Sequence, residues 1–347
     1  MHIYILFYTL LIILSYISIR PTKNSLIYYF AAALIILVAS CRSNGYDWIS
    51  YEDIYKSLLL GHKTEGGTFI EYGFEVLCMI SPTYRILIFL TALISLYFTF
   101  KAVYHFSKLY YPVLGLLIFS TTFLLPTFMG QIRQGLAIGF VTCAVWQNYI
   151  GNKRNAFLWI VFASFLHLSA ILAAIIVVIP KKDFSLRTYI LIIIASILFY
   201  GISLKLMSQL LTFSQFGFVQ KLLIYATSEK EELGISSTIL IRIAILLTTV
   251  ILNRNKDKAI SYLSKIYLCG IIIYLLFGFL PQLGGRGALY FSIYEMVLIP
   301  NLVYDFRKRH ALFLLIFSVI ICLTIFRIVN FFSNSFNYSS YIPYNLY

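Results

Sequence analysis

Continuous apolar runs, each roughly 17 to 25 residues long, recur from one end of this chain to the other and allow it few folds. A helix of that length crosses about 30 Å of hydrocarbon and satisfies its own backbone polar groups on the way. Strand periodicity is not the pattern. With 61% hydrophobic and 12% charged residues, the chain is expected to be an all-α polytopic membrane protein rather than a soluble domain. The runs fall at 3–19, 25–41, 85–105, 111–127, 132–149, 189–206, 236–252, 262–280, 288–304 and 311–331. Together with 157–179 they predict about 10 to 12 crossings in a single integral membrane domain spanning 1–347.

The formal charge of +14 would suggest nucleic acid in a soluble protein, but here most of the excess sits in short loops, where topology explains it. Arg20 and Lys23, then Lys153 and Arg154, then Arg254, Lys256 and Lys258, and finally Arg307, Lys308 and Arg309 mark expected cytoplasmic loops. The first run has neither a charged n-region nor a small-residue cleavage site and is read as a retained helix. Segments 42–82, 207–235 and 333–347 are then external. Three runs between two cytoplasmic loops (151–154 and 254–258) cannot all cross simply. Either 157–179 is broken near His167 and re-entrant, or 209–225 adds a crossing.

Five scattered cysteines without a CxxC pair indicate neither a metal site nor a disulfide framework. No HExxH, P-loop or GxGxxG is present. No cofactor, metal or nucleotide is therefore expected, and any substrate must arrive already activated.

Against this background the segment Gly130-Gln131-Ile132-Arg133-Gln134-Gly135 stands out, an arginine with two flanking amides between two apolar runs. An ionised group at membrane depth is by default a functional-site hypothesis. Arg133 falls at the expected outer side, where basic residues are not needed for orientation. So does Arg286, within Gly284-Gly285-Arg286-Gly287. Two guanidiniums suit a diphosphate clamp, and the helix start near Arg133 adds free N–H groups. Snorkelling to head groups is the plain alternative. His167 and Ser169 lie mid-run, as structural or functional polar groups. The outer segment 42–82 holds six of the chain's 13 acidic residues among many aromatics. Asp47, Trp48, Tyr51, Glu71 and Glu75 there suit sugar binding, or equally an interfacial aromatic belt.

These residues carry a resemblance. Phe128-Met129-Gly130-Gln131-Ile132-Arg133-Gln134-Gly135-Leu136-Ala137 resembles the RQG(I/L)A helix start of the EpsG family, polymerases of surface polysaccharides related to Wzy-type O-antigen polymerases. Gly45-Tyr46-Asp47-Trp48-Ile49-Ser50-Tyr51 is similar to that family's GxDYxxY segment. Glu71-Tyr72-Gly73-Phe74-Glu75-Val76-Leu77 is similar to its EPGFELL segment, with Tyr72 where proline is common. Phe165-Leu166-His167-Leu168-Ser169-Ala170 is similar to its FHxSA segment. An Arg-Tyr frequent in the family's later external stretch is replaced by Gln220-Lys221.

The resemblance implies a membrane-embedded glycosyltransferase related to GT-C-like polymerases and O-antigen ligases. Such an enzyme passes a glycan from its undecaprenyl diphosphate carrier to a second lipid-linked repeat unit, at the outer face of a bacterial inner membrane. Arg133 and Arg286, with His167, Asp47 or Glu71, would carry the chemistry. Gln131, Gln134, Lys221, Trp48, Tyr51 and Glu75 would bind substrate. The implied partners are undecaprenyl-diphosphate-linked glycans, membrane lipids, a chain-length regulator and a flippase, with no nucleic acid. The alternatives are a flippase of lipid-linked oligosaccharides, which would carry cavity charges in both halves, and a membrane O-acetyltransferase, which would use a histidine. A noncatalytic length-control partner is disfavoured by the many helices.

Overall fold

A computed structural model describes residues 1–19, 25–61, 70–107, 111–180, 182–210, 235–253, 257–278 and 281–344. Among them the chain is helical with no strand, as a segment with no water to satisfy its backbone must be. The helices are α1 (His2–Ile17), α2 (Ser25–Ser40), α3 (Trp48–Leu59), α4 (Tyr72–Ile80), α5 (Tyr84–Ser107), α6 (Pro112–Phe119), α7 (Ile132–Tyr149) and α8 (Lys153–Leu166). They continue as α9 (Ile175–Val178), α10 (Leu186–Leu210), α11 (Ser237–Leu252), α12 (Lys258–Leu276), α13 (Pro281–Ser292), α14 (Glu295–Asp305), α15 (His310–Ser333) and α16 (Ser335–Tyr341). The basic flanks Arg20, Lys23, Arg254 and Lys256, and most of segment 207–235 with Lys221, lie outside the described residues.

Four described helical stretches are long and apolar enough to cross a bilayer: Tyr84–Phe106, Pro112–Gly130, Lys258–Leu276 and His310–Ser333. A fifth arises if Leu283–Ser292 and Glu295–Asp305 form one interrupted span. The chain is thus a multi-pass membrane protein. Among the described residues full-length spans number fewer than the expected 10 to 12, because several expected runs form apolar helices of only 10–17 residues, among them α1, α2 and α11. The run 288–304 is divided at Ile293 and Tyr294, and the expected loop Pro281 to Gly287 is the first part of α13. Proline at the start of a helix loses no hydrogen bond, which is why Pro281 opens a helix here instead of preventing one.

The chain divides into two compact units, Met1–Ile171 with Glu295–Tyr347, and Leu172–Tyr294. In the second, α12 packs against α10, α11 and α13. Its buried Lys265 donates to the carbonyls of Pro180 (2.8 Å) and Lys182 (3.1 Å), so a cation inside a spanning helix is satisfied by backbone oxygens.

In the first unit α7 lies between α5 and α8, and α6 packs against α1 and α14. α6 does not stop with the expected run 111–127. It runs on as a π-helix over Ser120–Gly130, closing with the Gln131 amide on the Pro126 carbonyl at 3.3 Å. The wider turns tolerate the missing proline N–H, and such segments recur at functional sites.

Segment 42–82 holds α3 and α4, which build a small core of their own. Tyr51, Tyr55, Phe74 and Cys78 are buried in it against Tyr84, Leu87, Ile88 and Ile132. The Tyr84 hydroxyl donates to the Trp48 carbonyl at 2.8 Å and the Tyr55 hydroxyl to that of Ser81 at 2.7 Å.

The C-terminal segment folds back on the same unit. Tyr341 is fully buried and donates to the Leu125 carbonyl, and Tyr344 donates to the Val38 carbonyl at 2.7 Å. Tyr341→Ala is expected to cost about 3 kcal/mol, as truncation of a large buried ring does. Tyr338→Ala, at a position 46% exposed, should cost no more than about 0.5 kcal/mol. Thermal unfolding of the detergent-solubilised variants measures both.

Candidate active site

Arg133 stands in the first turn of α7, where the helix dipole is positive and a cation is disfavoured. Its position requires an anion, and the structure supplies Glu71. Arg133 Nη1 donates to Glu71 Oε2 at 2.7 Å. The guanidinium also lies 5.8 Å from the Tyr51 ring and 5.9 Å from that of Phe74, within cation–π range.

The other oxygen of Glu71 faces the break in the apolar run 157–179. α8 ends at Leu166, His167 is extended, and a 3-10 turn follows over Leu168–Ala174. The interruption expected near His167 is therefore present. A broken helix exposes backbone donors that must be satisfied inside the protein. Glu71 Oε1 accepts from the Leu168 amide at 2.9 Å and pairs with His167 Nδ1 at 3.0 Å. One carboxylate thus caps the broken segment, orients the imidazole and neutralises the arginine. Nδ1 faces Glu71, and Nε2 is the ring nitrogen turned away from the carboxylate.

Burial alone would raise the Glu71 carboxyl. The hydrogen bonds from His167 and Leu168 and the positive charge of Arg133 outweigh it and bring the group down to about 2. Glu71 is accordingly a permanent anion and a weak proton acceptor. Exposure follows the same order, with 8% of the Glu71 side chain reached by solvent against 15% for His167 and 19% for Arg133. The acid forms the floor of the site and the two basic groups form its face.

Close backbone approach makes this possible. A Cβ on Gly73 would come within 2.7 Å of the Phe165 carbonyl oxygen, so only glycine lets α4 lie against the end of α8 and bring Glu71 to Leu168. Gly45 plays a similar part at the other edge, where a Cβ would meet the Met129 carbonyl oxygen at 2.8 Å. The four segments picked out in the sequence therefore meet at one place within the first unit.

The remaining predicted residues divide between this cluster and other places. Tyr51 is buried beneath Arg133, and Trp48 packs edge-on to Tyr84 at 4.9 Å. The Tyr51 ring is part of the packing of segment 42–82, while Trp48 is half-buried. Asp47 stands immediately before α3 and is half-buried, as are Glu75 on α4 and Gln131 between the π-helix and α7. Gln134 is buried. Arg286 lies half-buried in α13 of the second unit.

Arg42 escaped the sequence reading. It is buried, donates to the carbonyls of Ala39 (3.2 Å) and Asn44 (2.7 Å), and lies 5.7 Å from the Trp48 ring. An arginine closing the run 25–41 on the expected outer side was the signal available for it. Among the described residues no group of three or more His, Cys, Asp or Glu is placed to hold a metal ion.

A multi-pass helical membrane protein with a buried carboxylate holding an arginine and a histidine at the end of a broken helix is the class that fold and site define. Residues 25–346 match the EpsG family, and the chain belongs to it. Membership points to a polymerase-like role in polysaccharide synthesis. A search of curated proteins and of solved structures finds no match.

Glu71→Gln is expected to destabilise the protein by about 3 kcal/mol, because it leaves Arg133 partly buried without its counter-ion. The folded carboxyl lies below its ordinary 4.5, so its contribution is whole above that pH and is lost as pH falls toward about 2. Acid melts should show this loss in the wild type and a flatter profile for the Gln variant over the same window. Gly73→Ala should reproduce the destabilisation without removing any charge, since its Cβ would meet the Phe165 carbonyl oxygen.

Proposed function

We propose that the chain polymerises lipid-diphosphate-linked oligosaccharide repeat units, by glycosyl transfer at the outer face of a bacterial inner membrane. The observation that carries this reading is the division of labour on Glu71, with Oε2 on Arg133 and Oε1 on His167. In the proposed step, a hydroxyl of the acceptor sugar attacks the anomeric carbon of the donor glycan. The bond from that carbon to the diphosphate oxygen breaks, and the hydroxyl proton passes to His167 Nε2. The departing undecaprenyl diphosphate gathers negative charge, which Arg133 stabilises through hydrogen bonds aimed from a fixed position.

Glu71 holds the imidazole in the tautomer with a free Nε2 and does not itself take the proton, which sets aside its reading as acceptor base. An already activated donor accounts for the missing nucleotide motif. Arg286, in the other compact unit, and Lys221, outside the described residues, are given no part in this step. The exposed ring of Tyr72, directly after Glu71, offers a face on which a sugar can stack.

Reconstituted protein supplied with purified lipid-linked repeat units should yield a ladder of products and free carrier diphosphate. Arg133→Ala should abolish the ladder with the protein still inserted. His167→Ala should slow elongation by about a hundred- to ten-thousand-fold, the usual worth of a general base. A normal ladder from either variant overturns the assignment. Protection of the substrate without a ladder would identify a flippase instead.

A further inference from the structure

A second arginine in the first unit has the same anomaly that singled out Arg133. Arg327 lies six residues before the end of α15, about 9 Å below it at 1.5 Å per residue. α15 is an apolar span whose sides are mostly open to lipid. Arg327 does not turn outward as a snorkelling side chain would. Its Nη1 donates inward to Thr122 Oγ1 at 2.7 Å, on the π-helix. That is the one hydrogen bond it makes among the described residues, and no carboxylate there pairs with it. A guanidinium carries five donors, so most of its capacity is unused among the described residues.

The space beside it is a groove of about 570 Å³ between the π-helix, the end of α15 and α16. Its walls are unusually polar for this depth. Asn330 is exposed and makes no hydrogen bond among the described residues. Asn334 and Asn337, at the start of α16, and the hydroxyls of Thr121 and Thr122 complete the polar wall, while Phe326 supplies an apolar flank. Pro126 also lines the groove and brings no N–H to the π-helical turn that holds the two threonines.

The groove opens at the same end of the bundle as the Glu71 cluster. α16, which bears Asn337, also carries Tyr341, whose hydroxyl lies 3.4 Å from where a Cβ on Gly130 would be. Arg327 thus sits against the first half of the π-helix and Arg133 just beyond its end. An arginine with no counter-ion among the described residues, side-chain amides and an apolar flank at the end of an apolar span match one chemistry, a phosphate-bearing sugar head group on a lipid.

We propose that the Arg327 groove binds the diphosphate and first sugar of a second lipid-linked substrate, while Arg133 holds the other. This deepens the polymerase reading and rests on it for the name of the ligand. The binding itself is testable without turnover. Full-length protein in phosphatidylcholine nanodiscs is titrated with radiolabelled farnesyl diphosphate, a short-chain probe of the lipid-linked head group. The wild type should bind two molecules per chain. Arg327→Gln, which keeps a hydrogen bond to Thr122 while removing the charge, should lower this to one, the lost site weakening at least tenfold. Asn330→Asp, which adds a negative charge without touching the Thr122 contact, should do the same if the Gln variant fails to fold.

Two molecules bound by both variants overturns the proposal. Displacement of the Arg327-dependent molecule by phosphatidylglycerol as readily as by farnesyl diphosphate also overturns it, as a site for bulk lipid. Equal competition by inorganic pyrophosphate overturns it as a free-anion site. Loss of one site in Arg327→Gln but none in Arg133→Ala upholds the groove and removes the polymerase reading of Arg133. The reverse result keeps that reading and removes the groove.

Discussion

A single carboxylate, Glu71, holds together elements far apart in the chain. Its two oxygens join α4, the first turn of α7 and the broken end of α8, through Arg133, His167 and the Leu168 amide. Each partner has a reason to need it. Arg133 stands at the wrong end of a helix dipole, Leu168 N–H is exposed by the break at His167, and the imidazole needs a fixed tautomer. Leaving any one of these unsatisfied in a partly buried site would be costly.

The packing around this contact explains why the segment between α2 and α5 is more than a loop. Some of its aromatics are buried in packing. Tyr51 and Phe74 sit in the small core and support the guanidinium from below. Gly73 and Gly45 permit the two backbone approaches that bring this segment against α8 and the π-helix. Arg133 and His167 keep more solvent exposure than Glu71 does.

The positive-inside argument was productive where it failed. Arg133, Arg42 and Arg327 all stand on the expected outer side. One is neutralised by Glu71, one is held by carbonyl oxygens and Trp48, and one borders a polar groove with a single threonine as its partner. The sequence reading singled out the first, overlooked the other two, and chose Arg286, which belongs to the other compact unit. Charge out of place along a chain marks candidates, but it does not say which of them already has a partner.

The all-helical fold, the bounds of α7 and the break at His167 were legible from the sequence. Apolar run length, helix-start chemistry and a polar residue in mid-run are local properties with local consequences. The continuation of α6 through Pro126, the splitting of run 288–304 and the helical start at Pro281 were not, because each depends on which neighbour satisfies the backbone. The same holds for the site. The sequence by itself determined that Glu71, Arg133 and His167 were unusual in a hydrocarbon-rich chain. Only the tertiary structure decided that they form one hydrogen-bonded unit, with the acid as anchor. A buried charge takes its role from the partner that compensates it, and here those partners lie 62 and 96 residues away along the chain.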